Sequence, residues 1–360
     1  MEKVLMKGNE AISEGAIRAG CTAYFGYPIT PQNEIPAYMS LHMLAKGRVF
    51  IQAESEVAAI NMVYGAACAG ARAMTSSSSP GMSLKQEGIS YAAGADVPCV
   101  VVNVARGGPG LGSIAPAQGD YFQSVKGGGH GDYFCIVLAP KNVQESADFT
   151  YEAFDLADKY RMPVIVLIDG MLGQLSEGLV LPKEKSLSEL PKRPWCVGHM
   201  EKSKDSSGKA RDAIHITSID LVPESLEDKS VQRFKRYETI IKNEVRYESI
   251  GCEDADIILT AYGTSARVCQ EAKKLADKQG IKAGFFRPIT LWPFPNNEYA
   301  KIAERGKPIL TVEMSLGQMV EDVRLAVLGK APVHLLGHCG GVIPKEEEIL
   351  EEIKKILGKK

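Results

Sequence analysis

Short apolar runs and stretches of helical spacing alternate from the start of the chain to about residue 180. Residues 23–27, 49–53, 72–75, 99–105, 135–139 and 164–169 are β-rich and short, as buried strands are. Between them lie helical stretches of about a dozen residues, such as 55–69, with Gly, Pro or Ser at the joints. The alternation predicts βαβ units, and hence a doubly wound, mostly parallel sheet covered on both faces. The most apolar long stretch, 89–105, contains Asp96 and Pro98 and reads as a helix end followed by a strand, not as a membrane span.

Residues 181–250 break the pattern. Pro, Lys and Glu crowd together over 182–194, and Ser203, Lys204, Asp205, Ser206, Ser207 and Gly208 form a polar cluster, so the region reads as a solvated excursion and linker. Strands are then expected at 256–261, 283–286 and 309–313, with helices at 265–278, closed by Gly280, and at 316–328. The organisation predicted is a first domain over 1–180, a linker over 181–250 and a smaller α/β domain over 251–360. The charged tail 345–360 reads as a solvated terminal helix.

At 360 residues, with 45% hydrophobic and 24% charged content, the chain can build two globular cores. Its 44 acidic and 42 basic residues leave a net charge of -2, which offers no basic field to nucleic acid or anionic lipid. Glu2, Lys3, Lys7 and Glu10 interrupt any apolar leader at the start, so a cytoplasmic location is expected, with no membrane partner. The 8 cysteines include no Cys-x-x-Cys pair and mostly stand among apolar residues. Reduced core thiols are therefore expected, and any iron–sulfur cluster belongs on another chain.

In parallel sheets, ligands bind at the loops leaving the carboxyl ends of strands. Tyr27-Pro28-Ile29-Thr30-Pro31 follows a strand, and its two prolines stiffen a turn that either displays the Thr30 hydroxyl or uses it as a helix cap. Glu54-Ser55-Glu56 opens the helix 57–69, where Ser55 suits the N-cap and a glutamate complements the helix dipole. The same carboxylate, held out of water by the small residues of that helix, could instead bond a heteroaromatic nitrogen. Residues 76–79 with Pro80-Gly81 read as a polar loop rich in donors. Arg106-Gly107-Gly108-Pro109-Gly110-Leu111-Gly112 lacks the dinucleotide-binding glycine spacing. It leaves one guanidinium at a strand end, suited either to a substrate carboxylate or to a salt bridge. In Lys126-Gly127-Gly128-Gly129-His130-Gly131-Asp132, His130 could move protons or close a turn, and one His with one Asp does not make a metal site.

Together these loops resemble the alpha-type subunit of 2-oxoacid:ferredoxin oxidoreductases. Tyr262-Gly263-Thr264-Ser265, the stretch 287–295 from Arg287-Pro288 to Phe294-Pro295, and Glu313-Met314-Ser315-Leu316-Gly317-Gln318 resemble its second domain. The likeness runs in order over nearly the whole chain. It implies a thiamine-diphosphate-binding-like fold followed by a smaller transketolase C-terminal-like α/β domain. It also implies that this chain carries the pyrimidine half of a divided thiamine diphosphate site. The Gly-Asp-Gly motif for the diphosphate and Mg²⁺ is absent, since Gly119-Asp120 and Gly131-Asp132 are each followed by Tyr. Diphosphate and Mg²⁺ are therefore expected on a beta subunit, and iron–sulfur clusters on further partners that pass electrons to ferredoxin.

By resemblance, Glu56 would hydrogen-bond the pyrimidine ring nitrogen, Thr30 and Arg106 would orient the 2-oxoacid, and Tyr27, Pro28, Ile29, Ser78 and Ser79 would line the cofactor. The activity implied is coenzyme A-linked oxidative decarboxylation of 3-methyl-2-oxobutanoate, with 2-oxoglutarate as the other substrate in view. A second substrate carboxylate would need a second cation, for which Lys85, Lys126 and His130 are the candidates. A noncatalytic assembly or nucleotide-binding subunit, its loops merely structural joints, is the rival from another class.

Overall fold

The computed structural model describes residues 3–197 and 214–359, so the polar cluster 203–208 lies outside the described residues. After β1 (Val4–Lys7) and α1 (Gly8–Arg18) come β2 (Ala23–Gly26), α2 (Glu34–Ala45), β3 (Val49–Gln52), α3 (Glu56–Cys68), β4 (Ala73–Ser77) and α4 (Ser79–Gly94). They are followed by β5 (Cys99–Ala105), α5 (Tyr121–Val125), β6 (Ile136–Leu138), α6 (Val143–Tyr160) and β7 (Pro163–Asp169). β2 to β7 are the six strands the alternation predicts. They pair in parallel in the order β6-β7-β5-β4-β2-β3. β5 and β7 are buried at every position, as strands covered on both faces must be, which is why they read as continuous apolar runs.

The connection leaving β2 runs outward to β3, whereas the connection leaving β4 runs the other way to β5. The β2/β4 boundary is therefore the topological switch point, and the loops at its carboxyl side open a crevice. α7 (Gly170–Gln174) leads to β8 (Ser176–Leu179), which pairs antiparallel with β1 as a separate ribbon.

Past residue 214 the structure departs from a plain linker. α8 (Pro223–Asn243) turns a polar sequence into a docked helix by burying Arg233, Tyr237 and Ile240. Tyr237 packs edge-on against Phe134 and Trp292, while Arg233 donates to the Gly94 carbonyl at 3.0 Å. β9 (Tyr247–Ile250) then joins a second sheet with β10 (Ile257–Thr260), β11 (Ala283–Pro288), β13 (Ile309–Glu313) and β14 (Val333–Gly337). The order is β14-β13-β10-β11-β9, parallel except at β9. Short β12 (Thr290–Trp292) crosses back and pairs antiparallel with β6 in the first sheet. α9 (Gly263–Lys278), α10 (Asn296–Ala303), α11 (Met319–Val327) and α12 (Glu346–Leu357) complete the second unit. α12 is the terminal helix the sequence suggests, but it is docked and not simply solvated, because Ile349 and Ile353 are fully buried against the core that holds Cys269 and Ala272 of α9.

Of the cysteines, Cys21, Cys99, Cys135, Cys196, Cys252 and Cys269 are buried, Cys68 is half-buried and Cys339 is exposed; none is in a disulfide. Burial pushes the Cys21 and Cys99 thiols up to about 12. Among the described residues, no helix is long and apolar enough to cross a membrane.

Arg287 locks the two sheets together. Its guanidinium is buried, donates to both carboxylate oxygens of Glu145 on α6 at 2.7 and 2.9 Å, and stands 3.1 Å from Glu248 on β9. Removing one partner of a buried pair strands the other charges. Arg287→Met is therefore expected to lower unfolding free energy by about 3 kcal/mol in denaturant titration; a loss below about 0.5 kcal/mol would show that the lock is dispensable.

Candidate functional site

Four adjacent strand tips meet at the switch point: β3 ends before Glu54, β2 before Tyr27, β4 at Ser77 and β5 before Arg106. Ser55 caps α3, its hydroxyl accepting from the Ala58 amide at 3.1 Å, and Glu56 takes the first helical position. The Glu56 carboxylate is only 6% exposed, and among the described residues no hydrogen bond or ion pair engages it. Glu54, by contrast, is exposed.

The opposite wall is the start of α4. A Cβ on Gly81 would come within 2.5 Å of Glu56 Oε1 and 2.1 Å of Ser77 Oγ, so only glycine lets the helix approach this closely. The Ser77 and Ser78 hydroxyls are buried there without partners among the described residues. The expected polar loop at 76–79 is therefore not a loop: Ser76 and Ser77 finish β4, Ser78 is the N-cap residue and Ser79 begins α4. Tertiary pairing of the strand with β5 extends it into the serines. Lys85, one turn further along α4, is fully buried; its ammonium donates to Thr75 Oγ1 at 3.1 Å and to the Glu56 carbonyl at 3.4 Å. Burial pushes its pKa down to about 8, opposed by the Glu56 charge.

The Thr30 turn is braced from several sides. Gln32 donates to the Tyr27 carbonyl at 3.1 Å and accepts from Ser76, which in turn accepts from Tyr24. Asn9 and Gln174 both donate to the Pro31 carbonyl, at 2.8 and 3.0 Å. Tyr27 and Pro28 are exposed at the tip, Ile29 and Thr30 half-buried. Thr30 is not the cap of α2, a position held by Asn33.

Arg106 joins this turn to its own loop, Nη1 donating to the Thr30 carbonyl at 2.8 Å and Nη2 to the Leu111 carbonyl at 2.9 Å. Its Nε is buried without a partner among the described residues. No acidic side chain pairs with it among the described residues, so Arg106 makes no salt bridge within the chain there. Ser79 accepts from the Arg106 amide at 3.0 Å and donates to Asp120 at 2.6 Å, and Asn103 donates to the same Asp120 oxygen at 2.8 Å. Burial raises the Asp120 pKa against those two bonds.

The structure thus gathers Tyr27, Pro28, Ile29, Thr30, Glu56, Ser78, Ser79 and Arg106 at one edge of the first sheet. The other two candidate cations point elsewhere. Lys126 pairs with Asp322 of α11, and His130 is exposed with its ring edge-on to Tyr91. The second-unit motifs act as joints. Thr264 donates to buried Asp169 through its amide and hydroxyl, Gln118 bridges Tyr262, Ser265 and Met314, and Glu313 accepts three amides at the start of α11. Gln32, Asn103, Gln118 and Asp120, which hold the loops in place, escape the sequence reading. Gln32 could have been found as an amide one residue past a proline turn, while nothing local distinguishes the other three.

Comparison with known proteins gives these loops a context. Residues 14–241 match the family described as pyruvate flavodoxin/ferredoxin oxidoreductase, thiamine diphosphate-binding, and residues 255–349 match pyruvate:ferredoxin oxidoreductase core domain II. The chain is 50% identical over 359 residues to the ketoisovalerate oxidoreductase subunit VorB of Methanothermobacter marburgensis, covering 99% of each protein. It is 37% identical over 372 residues to the 2-oxoglutarate synthase subunit KorA of Methanothermobacter thermautotrophicus, again covering 99% of each. A solved 2-oxoglutarate:ferredoxin oxidoreductase from Magnetococcus marinus, with 2-oxoglutarate, coenzyme A and succinyl-CoA bound, superposes with a TM-score of 0.87 at 29% identity. That match covers 99% of this chain and 65% of the other. A split-gene transketolase superposes with a TM-score of 0.59 at 12% identity, a likeness of fold.

Proposed function

Because the chain belongs to the pyruvate flavodoxin/ferredoxin oxidoreductase family, as an alpha-type subunit of a 2-oxoacid:ferredoxin oxidoreductase, we propose that its strand-tip crevice is the pyrimidine half of a divided thiamine diphosphate site. The reaction proposed is coenzyme A-linked oxidative decarboxylation of 3-methyl-2-oxobutanoate, with electrons passed through iron–sulfur partner subunits to ferredoxin in the cytoplasm. The observation that carries it is the Glu56 carboxylate, nearly buried yet free of any hydrogen bond or ion pair among the described residues. A buried carboxylate without a partner is costly unless a ligand supplies one. The orphaned Ser77 and Ser78 hydroxyls and the glycine wall at Gly81 fit a flat heteroaromatic ring with its own donors and acceptors.

When bound, thiamine diphosphate supplies the carbon nucleophile for the 2-oxo group and the electron sink for loss of CO₂. Glu56 holds or releases the proton at the ring nitrogen. The Thr30 turn, fixed by Gln32 and Arg106, shapes the substrate's end of the crevice, and the unpartnered Arg106 Nε is a donor for the 2-oxoacid carboxylate. Tyr27, Pro28, Ile29, Ser78 and Ser79 line the cofactor side. A beta subunit with a Gly-Asp-Gly motif holds the diphosphate and Mg²⁺. The division into 1–180, 181–250 and 251–360 belongs to the same reading, with β12 and α8 as ties across its boundaries.

The substrate choice rests on charge. Lys85 is engaged with Thr75 and the Glu56 carbonyl, Lys126 with Asp322, and His130 lies in the open beside Tyr91, so none of the three is free in the crevice for a second substrate carboxylate. Co-expressed with a Gly-Asp-Gly partner and the iron–sulfur subunits, the complex is expected to reduce a viologen dye in a thiamine- and coenzyme A-dependent way. Its kcat/KM for 3-methyl-2-oxobutanoate should exceed that for 2-oxoglutarate by about 100-fold, the order set by an unpaired buried charge. Equal values for the two acids would overturn the substrate, and thiamine-independent reduction would overturn the function.

A further inference from the structure

We propose that Lys85 is a positioning residue for Glu56, its buried ammonium fixing the first turn of α3 through the Glu56 carbonyl and so setting where the carboxylate stands. This rests on the assignment of Glu56 as the ring-nitrogen partner. Lys85 is fully buried, yet its only bonds are to the Thr75 hydroxyl and the Glu56 carbonyl, and no carboxylate makes an ion pair with it among the described residues. Such an arrangement is poor for stability: an apolar side chain of similar length would fill the space without a charge to desolvate.

What the charge does instead is act on Glu56. The titratable groups on the elements packed around Lys85 are Glu56, Tyr64 and Cys68 of α3, Glu87 and Tyr91 of α4, Cys99 of β5 and Asp169 of β7. Of these, only the Glu56 carboxylate shifts the ammonium's titration. The ammonium's bond to the Glu56 carbonyl holds the head of α3, and with it the carboxylate, from inside the fold, leaving the crevice side clear. With the Lys85 pKa pushed down to about 8, the support is lost as the solution becomes alkaline.

A lysine whose folded pKa lies below its ordinary value of 10.5 favours folding above that range, and the benefit is lost as pH falls to about 8. At pH 7 the buried charge is therefore a burden that Lys85→Met removes. The test uses the assembled complex with Lys85→Met, Lys85→Gln and Glu56→Gln. It measures melting temperature, thiamine diphosphate Kd, steady-state kinetics, and deuterium exchange at the cofactor's thiazolium carbon without substrate. Lys85→Met is expected to melt at or above the wild-type temperature at pH 7, to keep Kd and KM within about 3-fold, and to slow both exchange and kcat by about 10–100-fold. The wild-type exchange rate should fall off above about pH 8 and Lys85→Met should lack that limb.

If Lys85→Met and Lys85→Gln exchange at the wild-type rate while Glu56→Gln does not, Lys85 is structural and the inference fails. If Glu56→Gln also exchanges normally, the reading of Glu56 itself fails. Should both Lys85 variants misfold, the wild-type alkaline limb alone decides: its absence sinks the proposal.

Discussion

Glu56→Gln is expected to cut 2-oxoacid-dependent dye reduction by about 10²–10⁴-fold, the range of a lost acid–base group, while the complex still assembles and melts within a few degrees of wild type. Glutamine fills the same volume and its carbonyl can still accept a hydrogen bond, so packing against Gly81 and Ser77 survives. What goes is the ability to take and return a proton at the ring nitrogen. Stability changes little because Glu56 makes no hydrogen bond or ion pair among the described residues, and its helix-dipole contribution at the first turn is worth about 0.3–1 kcal/mol. Thiamine diphosphate Kd measured alongside kcat separates binding from chemistry. A variant that binds the cofactor and turns over at the wild-type rate would falsify the assignment.

The same substitution removes the only charge opposing the desolvation of Lys85. In Glu56→Gln the lysine should lose its proton at a lower pH than in wild type. This links the catalytic loss to a measurable change in the pH dependence of stability.

The strands β2 to β7, β10, β11 and β13 were legible, most of them because parallel strands buried on two faces read as unbroken apolar runs. 99–105 and 309–313 emerge with the expected bounds. Elements missed are those whose burial is decided elsewhere. β1 and β8 form a short ribbon with Leu5 exposed, β9 and β14 are the edge strands of the second sheet with no fully buried position, β12 is three residues inside a proline-flanked motif, and α8 presents mostly charged positions around a narrow docking face. At the site, a carboxylate after a strand and an arginine after another were visible as sequence features. The fate of Lys85 was not, since the rotation of α4 against β4 decides whether a lysine in that helix meets solvent, substrate or Thr75. Likewise the joints made by Thr264 and Glu313 look like loop motifs until the second unit is folded onto the first.

Arg106 combines both kinds of information, and its removal has the second large effect. Arg106→Ala is expected to raise the KM for 2-oxoacid by about 10²-fold, the worth of a charge-assisted donor pair in a dry site, with a smaller fall in kcat. Part of that loss is direct, from the donor that Nε presents without a partner. The rest is geometric, because Nη1 and Nη2 tie the Thr30 turn to the loop at Leu111, and cutting both ties frees the turn that shapes the substrate's end. Lys at this position cannot rescue it. An ammonium is one point of charge, whereas the guanidinium bonds two carbonyls about the same centre and keeps a third donor direction open. The two contributions separate in a Thr30→Ala comparison: it keeps the Thr30 carbonyl that Arg106 binds and loses only the hydroxyl, so its KM should move less than about 10-fold. If Arg106→Lys instead restored wild-type KM, the fork geometry would be irrelevant, and a bare positive charge at the end of β5 would be all that the substrate's carboxylate requires.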